Sequence, residues 1–141
     1  LDSHGLRHAL HNGPLRDMLD DAGVSFEAHF EGAVDRVDDD ARTAVYRIVQ
    51  AAVREAVRLE CVRRLELRLE RPGDARELQL SLEFEYAPYV QHLPAVAPLP
   101  AIRDRVLAER GDYALEPRVH GQQHRVRLPL REAEARRPTA G

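Results

Sequence analysis

From Ala41 to Leu59 the chain carries one unbroken apolar stripe at helical spacing. Ala41, Ala44, Val45, Ile48, Val49, Ala52, Val53, Ala56 and Val57 recur every third or fourth residue. Arg42, Arg47, Gln50, Arg54 and Arg58 lie off the stripe. This pattern predicts a long amphipathic helix that must bury one face against something else. The run Asp38-Asp39-Asp40 precedes it. One of these aspartates is expected to cap the helix, with the others facing the positive end of its dipole.

What the helix packs against is written in the segments around it. Leu65, Leu67 and Leu69 alternate with polar residues, and so do Leu78, Leu80, Leu82, Phe84 and Tyr86. Pro72-Gly73-Asp74 lies between them, which predicts a β-hairpin with one apolar face. Val24, Phe26, Ala28 and Phe30 alternate in the same way and predict an earlier strand. Tyr113 and Leu115, then Val126, Leu128 and Leu130, predict two more strands, with a turn at Gly121.

Leu6, Ala9 and Leu10 and then Leu15, Met18, Leu19 and Ala22 fall at helical spacing, interrupted by Gly13-Pro14. Proline disfavours the helical conformation of the residue before it, so a break is expected there. A short helix is expected from Ala101 to Glu109, after the proline-rich segment 87–100, which has no periodicity and reads as a loop. The expected fold is α+β: a two-layer sandwich in which about three helices cover one face of a mixed sheet of about five strands. Residues 1–131 form the expected domain and 132–141 a charged, fraying tail.

Composition removes several function classes. All 21 basic residues are arginine, so no lysine is available as a Schiff-base former or phosphate clamp. The formal net charge is −3, which gives no general nucleic-acid footprint. Cys61 is the single cysteine, expected at a half-buried helix–strand junction. It allows neither an internal disulfide nor a CxxC zinc site, and this usage suits the cytosol. The longest uncharged run, Tyr86 to Ile102, holds Pro88, Pro94, Pro98 and Pro100 and cannot make a spanning helix. The chain begins at Leu1, which suggests a segment of a longer protein and leaves room for a membrane anchor outside it.

Gly5-Leu6, the strand after Gly23, and Ala44 to Gln50 together resemble the catalytic, ATP-binding domain of two-component sensor histidine kinases, a GHKL or Bergerat-type ATPase. Ala101 to Val106, Gly111, and Arg125-Val126-Arg127-Leu128-Pro129-Leu130 are similar to the ending of that domain. The resemblance runs in order from Leu1 to about Leu130. It is nearest to the branch in which this domain follows a two-helix dimerisation module. It implies ATP and magnesium as the family's cofactors. It also implies a glutamate, an asparagine and often a histidine spaced by four on the long helix.

Those positions here are Ala51, Glu55 and Leu59. Alanine does no proton chemistry, while Glu55 could hold magnesium through its carboxylate. The family's first glycine box, whose aspartate reads adenine, is replaced by Glu83-Phe84-Glu85-Tyr86-Ala87-Pro88, with Glu85 as the nearest acidic residue. The second box wraps phosphates with backbone N–H groups. Its counterpart is Val96-Ala97-Pro98-Leu99-Pro100, where two prolines remove donors. Three parts of one site are thus altered together. The expectation is a regulatory or scaffolding pseudokinase module with no catalytic residue, no metal ligand and no bound cofactor.

Two alternatives stand beside that expectation. One is an active domain using Glu55 for magnesium and Glu85 for adenine. The other is an interaction module using the 87–100 loop, with Tyr86, Tyr89, Leu93 and Val96 as docking residues. The expected partners are other domains of the same sensor, an active kinase or a response regulator, with homodimerisation through upstream helices, in a cytoplasmic domain of a sensor that is soluble or membrane-anchored. No histidine is followed by an acidic residue, so no phosphoacceptor motif is present in this stretch. His4, His8 and His11 could share a helix face as a metal site, against which a solvated polar face is the preferred reading. Arg47, Arg54 and Arg58 share one helix side that could bind an anion, against which a salt-bridged face including Glu55 and Glu60 is preferred.

Overall fold

The computed structural model describes residues 5–73 and 75–131. The order is α1 (Gly5–His11), α2 (Pro14–Asp21), β1 (Ser25–Gly32), α3 (Asp39–Leu59), β2 (Val62–Arg71), β3 (Glu77–Tyr86), α4 (Pro100–Ala108), β4 (Asp112–Arg118) and β5 (Gly121–Pro129). The strands form one mixed sheet in the order β1-β2-β3-β5-β4. β1 is parallel to β2, and the other pairings are antiparallel. This is the two-layer α+β sandwich that the alternation and the apolar stripe predict. The expected helix break is also present, with Gly13 between α1 and α2 at φ 149° and Pro14 opening α2.

Register explains why the sheet has one dry face. Ala28, Leu67, Leu82, His124 and Leu115 are successive partners across all five strands, and Phe30, Leu69, Leu80, Val126 and Tyr113 form the next row. Because the side-chain period is two, every row of this parity faces the helices. α3 lays Ala44, Val45, Ile48, Val49, Ala52 and Val53 onto these rows, all fully buried. The alanines let the helix approach the sheet closely, while each buried isoleucine or valine contributes about 1.5–3 kcal/mol. Leu6, Leu10, Leu15 and Leu19 of α1 and α2 close one end of the core, and Ile102 and Val106 of α4 close the other.

The opposite face of the sheet is charged. Arg64 pairs with Glu27, Glu66 and Glu85, Arg68 with Glu66, and Arg127 with Asp112. This face needs no second layer.

One local expectation is corrected. Asp38 occupies the N-cap of α3, but its side chain makes no capping hydrogen bond. Its buried Oδ1 has no partner among the described residues. The first turn is held instead by the backbone bond from Arg42 N–H to Asp38 O, 3.1 Å. Cys61 is half-buried at the α3–β2 junction, as expected, and burial pushes its thiol pKa up. The expected tail 132–141 lies outside the described residues, while Arg131 just before it pairs with Asp40 at 2.6 Å. No described helix is long and apolar enough to cross a membrane.

Candidate functional site

α3 and α4 enclose a recess of about 390 Å³. Arg47, Ala51, Arg54 and Arg58 reach it from successive turns of α3, together with Gln50 and Glu55. Leu99 at the N-cap of α4, Pro100 and Ala101 at its start and Arg105 in its last turn line the other side. Four guanidinium groups therefore share the recess with one carboxylate. Arg58 donates to both oxygens of Glu55, at 2.9 and 2.7 Å. This bond holds the Arg58 pKa above its usual value. Arg47 donates to Gln50 Oε1 at 3.1 Å.

A larger hollow of about 470 Å³ opens on the outer sheet face, along Arg68, Glu70, Gln79, Ser81, Asp112, Arg125 and Arg127. Its charges alternate and its Arg127 and Asp112 pair with one another. Its three arginines face two carboxylates, whereas the smaller recess sets four arginines against one, so the smaller recess is the candidate site.

Behind the recess runs a buried polar chain. Leu99 N–H donates to Tyr113 Oη at 3.0 Å, and Tyr113 Oη lies 2.7 Å from His124 Nδ1. His124 Nε2 lies 2.7 Å from Gln122 Oε1, and Gln122 Nε2 donates to Tyr86 Oη at 2.5 Å. The amide oxygen of Gln122 can only accept, so His124 carries its proton on Nε2 and accepts from Tyr113 at Nδ1. Every link then has one donor and one acceptor. Burial lowers the His124 pKa to about 4, with the charge of Glu55 acting weakly the other way. Burial also pushes the hydroxyls of Tyr86 and Tyr113 up.

Of the residues singled out in the sequence, Ala51 and Glu55 line the recess. Leu59 does not; it is half-buried against the core. Glu85 lies on the outer face, where Arg63 and Arg64 hold it, and its lowered pKa stems first from the Arg63 bond. Glu55 and Glu85 are thus on opposite sides of the sheet, and the structure does not bring them into one site.

Tyr86 belongs to the core at 1% exposure, which removes it from any accessible docking face. Tyr89 and Leu93 are 75% and 47% exposed, and Val96 is half-buried. His8 and His11 are exposed on α1, and His4 lies outside the described residues. In the counterpart of the second glycine box, Pro98 and Pro100 have no N–H, and the N–H of Leu99 is spent on Tyr113. Sequence reasoning missed Tyr113, Gln122 and His124. The signal was parity: positions 122 and 124 share the inward phase of Val126 and Leu128.

This fold has counterparts among solved structures. The nucleotide-free catalytic domain of histidine kinase ThkA superimposes with a TM-score of 0.57, at 16% identity, over 82% of this chain and 88% of that one. The fold is that of a histidine kinase ATP-binding domain. Acinetobacter baumannii histidine kinase AdeS matches with a TM-score of 0.59 at 15% identity, over 84% of this chain and 60% of its own. Full-length ShkA in complex with AMPPNP matches with a TM-score of 0.63 at 13% identity, over 92% of this chain but 30% of its own. The chain therefore spans under a third of that multidomain kinase. No protein-family model matches the chain, and no curated protein matches it in sequence. At these identities the histidine-kinase fold is the shared property, and activity must be argued from the recess itself.

Proposed function

We propose that this chain is the ATPase-like domain of a two-component sensor, working in the cytoplasm as a regulatory or scaffolding module that does not bind Mg-ATP in the family's manner. The observation that carries the reading is the state of Glu55. The resemblance puts the magnesium ligand at this position, and here its carboxylate is held on both oxygens by Arg58. Divalent magnesium demands near-octahedral oxygen coordination and dehydrates reluctantly. A single carboxylate already committed to a guanidinium, among three further arginines, offers it little. Ala51 beside it supplies no base. The partners in this reading are the other domains of the sensor, an active kinase, a response regulator or a second copy of the chain.

Calorimetric titration with Mg-ATP tests this. No saturable heat is expected up to about 1 mM ligand, and a dissociation constant near 1 μM would sink the reading. An active domain using Glu55 and Glu85 together is not favoured, because those residues face opposite sides of the sheet.

A second reading has its own support. Tyr89, in the turn closed by the bond from Val90 N–H to Ala87 O, and Leu93 stand exposed on the segment between β3 and α4, and exposed aromatic and aliphatic side chains suit groove docking. Replacing both by serine is expected to reduce capture of the sensor's other domains. Unchanged capture would count against this surface.

A further inference from the structure

We propose that Glu27, His29 and Glu66 bind zinc or a neighbouring first-row divalent cation on the outer face of the sheet. Glu27 and His29 are two residues apart on β1 and so point to one side, and the parallel register sets Glu66 of β2 beside Glu27. His29 and the two glutamates each offer a ligand atom within 4.8 Å of the other two. His29 Nε2 lies 3.2 Å from Glu66 Oε2 and 3.7 Å from Glu27 Oε1. Two ligand atoms, each about 2.0 Å from a tetrahedral ion, stand about 3.3 Å apart. An ion that replaces the proton between these groups therefore demands little movement of them. The helices and the recess beside Glu55 lie on the other side of the sheet, so this site is separate from that one and does not rest on the function proposed for it.

The surroundings orient the ligands. Arg64 donates to Glu27 Oε2 at 2.9 Å and to Glu66 Oε1 at 3.3 Å. It grips the far oxygen of each carboxylate and leaves Glu27 Oε1 and Glu66 Oε2 turned toward His29. Hydrogen bonds of this kind fix the direction of a ligating carboxylate. Glu85 holds Arg64 in turn, at 3.4 Å. Arg68 approaches Glu66 Oε2 at 3.4 Å, but its side chain is 53% exposed and can swing into water.

The donor set selects the ion. An imidazole with two carboxylates suits zinc and its neighbours, whereas magnesium and calcium favour oxygen ligands alone. Two carboxylates offset the charge of the dication, and three protein ligands leave a fourth position for water. Sequence reasoning expects no metal ligand in this chain, because Glu66 reaches the other two only through the parallel pairing of β1 with β2.

Calorimetric titration of the untagged protein with zinc chloride at about pH 7.5, where a free imidazole is neutral, tests the proposal. One-to-one binding with a dissociation constant below about 100 μM is expected, unchanged by about 10 mM magnesium. His29→Gln and Glu66→Gln should each weaken it at least about tenfold, while His8→Gln and His11→Gln leave it unchanged. In the unmutated protein, zinc should move the imidazole signals of His29 before those of any other histidine, which keeps the site testable should a variant fail to fold. Undiminished affinity in His29→Gln would overturn the proposal. A loss confined to the His8 and His11 variants would place the ion on α1 and overturn it too. So would the absence of saturable binding, or displacement of zinc by magnesium.

Discussion

His124 and Tyr113 are joined by a 2.7 Å hydrogen bond between Nδ1 and Oη, and their rings stack at 22° with centroids 5.9 Å apart. The imidazole is fully buried and neutral, wedged also against Phe84 at 5.3 Å. Its folded pKa of about 4 lies below the ordinary value of 6.5. The unfolded chain therefore takes up a proton before the folded one does. Stability from this group is fully present above pH about 6.5 and falls as the pH drops toward about 4, by about 3 kcal/mol in all. Urea unfolding of the parent and of His124→Gln at pH 7.5 and pH 5 measures this, with the pH dependence expected to be steeper in the parent (about 1–2 kcal/mol across that interval). Identical slopes would refute it.

Tyr113→Phe keeps the ring and removes the hydroxyl. His124 Nδ1 then loses its donor and Leu99 N–H its acceptor, which is expected to cost about 1–3 kcal/mol. The second loss is local: amide exchange at Leu99 and proteolysis in the 88–99 segment should rise more than at the centre of β2. A uniform change across the domain would show that the chain does not anchor α4.

Gly121 opens β5 opposite Glu85, and a Cβ there would clash with the carbonyl oxygen of Phe84. That atom is backbone and cannot swing away. Gly121→Ala is expected to destabilise the domain by about 2 kcal/mol or more by forcing the β3–β5 pairing apart. A thermal midpoint within experimental error of the parent would contradict this.

Ile48 is fully buried in the middle of α3. Ile48→Ala should cost about 2–5 kcal/mol through lost transfer energy and a residual cavity. Arg63→Ala and Glu85→Ala sit at the opposite extreme. Both side chains are over a third exposed, so solvent screening should hold their coupling in a double-mutant cycle below about 1 kcal/mol and shrink it further in salt.

Much of this fold is legible in the residues because local periodicity and burial agree. The stripe from Ala41 to Val57 and the alternation from Leu78 to Tyr86 each admit one orientation. The Gly13-Pro14 break follows from proline sterics alone. The parallel pairing of Phe26 with Leu65 was not legible, since nothing in either strand records its partner across the length of α3. The recess was half legible. Ala51, Glu55 and the arginines of α3 were visible as a helix face, but Arg105 joins them only through tertiary packing. The Tyr113–His124 pair escaped notice because polar residues at inward positions look like ordinary interruptions until register places them together. The capping expectation at Asp38 failed for a related reason: composition marks the helix start, while the side-chain rotamer depends on its neighbours.

The ionic mesh on the sheet's outer side has a one-sided chemistry. The arginines in it keep their charge far into alkali, and their counter-ions are carboxylates. Base has nothing in those arginine–carboxylate pairs to titrate, while acid removes their negative half. The bare side of this domain should therefore tolerate alkaline solution and come apart electrostatically only in acid.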